Sequence, residues 1–220
     1  PHPPSHHRHI QTQTHERGQD HTLHRESIMS NFFSDNEDLL YYFDKGIDWE
    51  PIVTPTEKSS GAQGGFETTE EAVDFYRQFL EMFGEFVAEQ VAPHAAAVDA
   101  HGVKLKDGKV VIAPEAEAIF EQIKALEIHG MCVPRELGGM NCPLLVYLMN
   151  IEVFSRADVS MMTHHGFHGG MAMAMLIFSL REGSTTFDAD EGTITSTRFH
   201  DEIQEILRGE AWGCMDITEP

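Results

Sequence analysis

Asp158 to Leu180 reads DVSMMTHHGFHGGMAMAMLIFSL, and this stretch decides the fold. Asp158 is a short polar residue of the kind that accepts hydrogen bonds from the free N–H groups of a helix start. Apolar side chains follow on almost every face of the implied helix, and Gly183 stands where a left-handed C-terminal stop belongs. A helix apolar all round predicts a buried central helix with other helices around it. His164, His165 and the glycines break the run short of the about 20 apolar residues that a bilayer span requires. Two features are unusual for core packing alone. Three histidines, His164, His165 and His168, fall within five positions, and Gly169-Gly170 lets another backbone or a flat ligand come close. Met161, Met162, Met171, Met173 and Met175 supply an adaptable apolar wall.

The 220 residues fit one large domain or two small ones, and 41% hydrophobic content suffices for a core. A formal net charge of -21 argues against a nucleic-acid partner and against an anionic membrane surface. Cys132, Cys142 and Cys214 are an odd number with no C-x-x-C spacing, which fits a reducing compartment better than a disulfide framework or a zinc site. The expectation is a cytoplasmic protein without a membrane span.

Residues 1–28 differ from the rest. They hold seven of the fourteen histidines, almost no apolar side chains, and three acids against three bases. Such a segment buries too little surface to offset its ordering entropy. It lacks a signal-peptide core, and its spacing is too irregular for a metal-binding tail. It is expected to be a disordered, spuriously translated leader, with Met29 as the true start.

Residues 29–67 are expected to form an extension with one short helix, opened by a capping box at Ser34–Glu37 and closed at Gly46, before an irregular surface connection from Asp48 to Phe66. Thr68-Thr69-Glu70-Glu71 is a second capping box. Behind it Val73, Tyr76, Phe79, Leu80, Phe83, Phe86, Val87 and Val91 recur at spacings of three and four, the pattern of an amphipathic helix. Val103 to Ile112 alternates about Asp107-Gly108, a tight-hairpin signal. Pro114 suits a first helical residue, with Ile119, Phe120, Ile123 and Leu126 as the apolar face. After a loop at 131–140, a helix beginning near Pro143 is expected to be largely buried through Leu144, Leu145, Tyr147, Leu148, Ile151 and Phe154. A polar run from Ser184, a short strand near Gly192–Thr195 and a last helix through Phe199–Leu207 follow. Ala211–Thr218 then reads as a strand, so the sequence looks cut at a domain boundary.

With this order of elements, residues 68–220 resemble the N-terminal half of an acyl-CoA dehydrogenase. Three patterns carry the likeness. Val133-Pro134-Arg135-Glu136-Leu137-Gly138-Gly139 is similar to the family's P-x-x-x-G-G loop. Asp158-Val159-Ser160 through Gly166-Phe167-His168 resembles D-x-S followed by a G-V-H-like element. Gly209-Glu210 with Thr218-Glu219-Pro220 resembles the G-E and T-E-P signature at the start of the middle β-domain. The resemblance implies a mainly α fold: a helical N-terminal bundle with a small hairpin over residues 68–209, and the start of a truncated β-barrel-like middle domain over 210–220. It also implies an oxidoreductase of fatty acid metabolism that binds FAD and oxidises an acyl-CoA thioester to its α,β-unsaturated product. Its usual electron acceptor is an electron-transfer flavoprotein, and its assembly a homodimer or homotetramer. Flavin contacts map to Met215, Ile217 and Thr218, of which only the threonine hydroxyl is chemically specific. The acyl cavity maps near Met161, His164 and His168, which share one helix face at i, i+3 and i+7. Two histidines there suggest a short, polar or aromatic acyl group. The family's base is a glutamate of the C-terminal domain, so no residue here is assigned as catalytic. The longer connection at Ser184–Arg198 and the extra segment at 30–66 suggest a larger, divergent subgroup.

Two other readings remain open at this point. His164 and His168, four apart on one face, could ligate a metal, although no third ligand is identifiable. A non-enzymatic helical interaction module is the other, and the terminal strand has no role in it. The absorbance of a full-length product separates flavin, metal and neither.

Overall fold

The computed structural model of this protein describes residues 30–58 and 64–214. The expected leader, Met29 and the flavin-contact positions Met215, Ile217 and Thr218 lie outside the described residues. The fold is mainly helical, with two small antiparallel hairpins.

Local rules account for several helix ends. The first helix, α1 (Glu37–Tyr41), is capped by Asn36, whose Oδ1 accepts from Leu39 N at 3.2 Å. The expected start at Ser34 is therefore two residues too early. The helix relaxes into a π-turn over Tyr42–Gly46, as the Gly46 stop suggested. The expected irregular connection holds a helix instead, α2 (Glu50–Lys58). Pro51 sits in its first turn, where a missing N–H is no loss, and burial of Trp49 and Val53 outweighs the poor helix-forming composition.

Helix α3 (Thr69–Phe86) begins in the expected capping box. Thr68 Oγ1 accepts from Glu71 N at 3.1 Å, and the Glu71 carboxylate reaches back to Thr68 N. Its buried face of Tyr76, Phe79, Leu80 and Phe83 is the middle of the larger core. The helix gives way to a π-turn over Val87–Val91 and a short 3-10 turn holding Pro93 before α4 (Ala95–His101). Strands β1 (Lys104–Lys106) and β2 (Lys109–Val111) pair antiparallel about Asp107 and Gly108, both at positive φ. Helix α5 (Pro114–Ala125) starts on its proline.

Helix α6 (Leu144–Ser155) buries Val146, Met149, Asn150, Val153 and Phe154, while Leu144 and Leu148 face outward. The long helix α7 (Val159–Glu182) is capped as expected: Asp158 Oδ1 accepts from Met161 N at 2.9 Å, and Gly183 closes it at φ 76°. Its first half packs into the larger core. Ala172 and Leu176 instead join Val133, Leu137, Ile203 and Ile206 in a second core under α8 (His200–Leu207). Strands β3 (Thr186–Phe187) and β4 (Ile194–Ser196) bridge α7 and α8. Helices do not surround α7 on all sides among the described residues. Phe167, Ile177 and Phe178 stand outward, Phe178 at 59% exposure.

The segment before α1 is tied to α3 by backbone as well as by side chains. Phe32 N donates to Gly84 O at 3.1 Å, and Asn31 Nδ2 to Glu81 O at 2.8 Å. A partly buried bidentate pair, Arg135 to Glu57 at 2.7 and 3.1 Å, links α2 to the loop ahead of α6. At Gly84 a Cβ would stand 2.3 Å from Asn31 Oδ1 and 2.7 Å from Phe33 N. Gly84→Ala is therefore expected to cost about 1–3 kcal/mol, seen as a lower urea midpoint at unchanged m-value. An unshifted midpoint would contradict this close approach.

Candidate functional site

Two cavities meet α7 from opposite sides. The larger, about 720 Å3, lies between α4, α5 and the start of α7. Alanines, Val98, Val103, Ile112, Phe120, Met161 and Trp212 give it an apolar wall, and Asp99, Asp158, Ser160 and His164 supply its polar side chains. The smaller, about 390 Å3, is a groove between α6 and α7. Leu148, Ile151, Met162, Phe167 and Met171 wall it, and Gly166 and Gly170, one turn apart, form its base. Its polar side chains are already engaged: Tyr147 Oη donates to Gly166 O at 2.6 Å and Thr163 Oγ1 to Val159 O at 2.8 Å.

Met161 and His164 thus line one cavity from a shared face of α7. His168 shares their face but not the cavity. It lies behind His164, in a small void closed by His129, His165, Ile123, Lys124 and Trp212. The void is part of a stack of aromatic rings: His129 to His168 at 4.5 Å between centroids, His164 to His168 at 4.7 Å, and Phe120 to His164 at 4.0 Å. Trp212 presents an edge-on ring to His164. His165 turns to the other side of the cluster, between Phe83 and Phe154, with Nε2 3.1 Å from Asn150 Oδ1.

Sequence reading does not single out His129, contributed by the turn at Ile128–Gly130 after α5, or Trp212 for this site. Neither belongs to a periodic pattern shared with α7. Gly169 admits the approach of His129, since a Cβ there would stand 3.2 Å from the carbonyl oxygen of His129. The glycine pair thus serves backbone packing on one side.

Burial disfavours the charged form of all four imidazoles. It pushes His165 down to about 3, with the neighbouring imidazoles adding to the effect. His164 is likewise pushed down to about 3, and His129 to about 4, by burial first and then by His168 and other neighbours. His168 also falls below the ordinary imidazole value through burial, partly offset by its hydrogen bond to the carbonyl oxygen of His164. Among the described residues no group of three or more His, Cys, Asp or Glu is placed to hold a metal ion, so the His164/His168 pair has no third ligand there. Burial raises Cys132 to about 12 and raises Cys142 as well, so neither is an activated nucleophile. No helix among the described residues is long and apolar enough to cross a membrane.

Known proteins align with this region. A family model described as "Acyl-CoA dehydrogenase, N-terminal domain" matches residues 74–183, half of the chain. Isovaleryl-CoA dehydrogenase, mitochondrial, of Oryza sativa subsp. japonica is 30% identical over 147 residues, which is 67% of this chain and 30% of that protein. 3-Methylmercaptopropionyl-CoA dehydrogenase of Ruegeria pomeroyi is 28% identical over 148 residues, 67% of this chain and 23% of the relative. 2-Methylacyl-CoA dehydrogenase, mitochondrial, of Solanum tuberosum is 22% identical over 169 residues, 77% of this chain and 35% of the relative. The chain thus spans about a third or less of the length of these curated relatives.

Depressed imidazole pKa values have a definite linkage sign. Between the unfolded value, 6.5, and the folded values near 3–4, the unfolded chain binds more protons. Stability from this cluster is therefore full above pH 6.5 and drains away as pH falls toward 4. His164→Phe, which keeps a ring against Phe120 but cannot titrate, is expected to lose less stability than the wild type between pH 7 and 5 in parallel urea titrations. Equal losses would show that His164 is not held neutral.

Proposed function

Because the chain belongs to the acyl-CoA dehydrogenase family, we propose that it forms the helical wall of an FAD-dependent enzyme that desaturates an acyl-CoA thioester between its α and β carbons. The observation that carries this reading is the apolar cavity beside α7, within the region matched by the family. Its volume, about 720 Å3, falls in the range of small-molecule sites. When bound, the flavin supplies a two-electron acceptor, so that the α-proton leaves to a base, the β-hydrogen leaves as hydride, and a carbon–carbon double bond forms. No carboxylate of this chain is assigned as that base.

The residues proposed here bind and exclude water. Met161 and His164 flank the acyl group, and His168 supports His164 from behind through its hydrogen bond to the carbonyl oxygen of His164. Met215 and Ile217, by their backbone, and Thr218, by its hydroxyl, are proposed to meet the flavin ring. Support comes from the segment just before them, since Trp212 lines the cavity and Cys214 is exposed. An electron-transfer flavoprotein as electron acceptor, a homodimeric or homotetrameric assembly and a cytoplasmic location belong to the same proposal. Some relatives carry "mitochondrial" in their names.

A second seat for the acyl group has a specific feature in its favour. The α6–α7 groove is lined by apolar side chains, and its few polar groups are already bonded. A Cβ at Gly170 meets nothing closer than Tyr147 Oη at 3.9 Å, so Gly170→Leu starts from open space and extends into this groove.

The full-length protein is expected to purify yellow, and a saturating acyl-CoA is expected to bleach its visible flavin band anaerobically. A colourless protein that takes up no FAD would overturn the proposal. If the acyl group sits in the groove, Gly170→Leu shifts the preferred chain length shorter; if it sits beside Met161 and His164, that preference is unmoved.

A further inference from the structure

After α8 the chain crosses onto α7. Gly209 turns it, at φ 64°, against His129, where a Cβ would stand 3.2 Å from Nε2. Trp212 then lays its ring edge-on against His164, with a second edge-on contact to Phe120 at 5.5 Å between centroids. Gly213 follows, pressed against Met171, about two helical turns beyond His164. A Cβ at Gly213 would stand 2.2 Å from Met171 Cγ and 2.8 Å from its Cβ. Rotation of Met171 about χ1 moves Cγ but leaves Cβ, which the helix backbone fixes. Non-bonded carbons rest at about 3.5 Å or more, so even then a side chain at 213 lifts the strand of chain off α7 by about 0.7 Å. Gly213 is not among the glycines at positive φ, so the position requires space rather than backbone freedom.

Little else fixes this segment. Among the described residues its last backbone hydrogen bond is that of Ala211 N to Glu205 O, at 3.3 Å. From Trp212 onward the seat on α7 is packing alone: a ring against His164 and bare backbone against Met171. The other side of the segment is open, with Trp212 55% exposed and Cys214 exposed. Ala211, Trp212, Gly213 and Cys214 carry no charge. A segment held from behind, uncharged and open in front suits a flat, apolar ring.

Resting on the FAD-dependent reading, in which Met215 and Ile217 meet the flavin by their backbone, we infer that Gly213 and Met171 are positioning residues for that cofactor. They act through the segment rather than on the ring. With no side chain at 213 the chain closes onto Met171, and the depth of that contact sets where the backbone two residues on presents its polar groups. A binding constellation has to be held to about 0.5 Å, which is less than the displacement a Cβ at Gly213 imposes.

The test titrates FAD into flavin-stripped, full-length protein without acyl-CoA, and reads the dissociation constant and the visible bands of the bound flavin. Gly213→Ala is expected to bind FAD about tenfold more weakly or worse, with shifted bands, since misplacement on this scale is costly. Met171→Ile, which thickens the helix side of the same contact, is an independent route to the same loss. Adding Met171→Gly to Gly213→Ala removes every atom the new Cβ meets and is expected to recover most of the affinity. Adding Met171→Ala instead keeps the Met171 Cβ position and should recover less. Gly84→Ala, which strains the larger core against Phe33, is the comparison for lost stability alone and should keep the wild-type dissociation constant. Wild-type affinity in both Gly213→Ala and Met171→Ile, no recovery in either double variant, or an equal loss in Gly84→Ala overturns the inference while leaving the dehydrogenase reading intact. A wild-type protein that takes up no FAD overturns both.

Discussion

Four imidazoles in one largely apolar interior are the constraint on which the rest of the structure depends. A charged imidazole there would lose its hydration without gaining a counter-ion, so the rings must remain neutral. The surrounding helices supply what neutrality requires. Phe83 and Phe154 cover His165, Asn150 accepts its N–H, Phe120 and Trp212 enclose His164, and the carbonyl oxygen of His164 fixes the tautomer of His168. Helices α3, α5 and α6 each contribute a side chain to this enclosure. The larger core and the candidate site are therefore built from shared parts.

Local chemistry foretold the elements that depend on it. The Thr68–Glu71 capping box, the Asp107-Gly108 hairpin, Pro114 at a helix start and the Asp158 and Gly183 ends of α7 need only a few adjacent residues, and each stands where the sequence placed it. Elements decided by tertiary packing were harder to read. Prolines and threonines made α2 look like a loop, whereas burial of Trp49 and Val53 holds it helical. Leu144 and Leu148 were expected inside α6, but hydrophobicity alone does not say which face meets a neighbour. The all-round apolarity of α7 suggested complete enclosure, yet Phe167 and Phe178 stand outward among the described residues.

The site shows the same division. Helical spacing put Met161 and His164 on one face, and that face borders a cavity. Spacing within one helix could not show that His168 lies behind His164, nor that His129 closes the cluster from 35 positions earlier in the chain than His164. Long-range partners of this kind leave no periodic trace. Gly169 carried the only local signal, a position where another backbone comes close, and the carbonyl of His129 is the group that does so.

These features together describe a helical domain whose central helix divides two cavities, one with a histidine cluster at its end and one based on glycines. Membership of the acyl-CoA dehydrogenase family gives both cavities a chemical context, and the polar groups around each limit what it can hold. The groove between α6 and α7 offers little besides apolar contact.

Imidazole 15N chemical shifts, followed by NMR from pH 7.5 to 5, test the central claim most directly. Three rings, those of His129, His164 and His165, should keep neutral-tautomer shifts throughout, with His165 protonated on Nε2, and His168 should titrate below the ordinary imidazole value. Titration of any of the four with a midpoint near 6.5 would show that the cluster is hydrated and open, and would contradict the neutral enclosure described above.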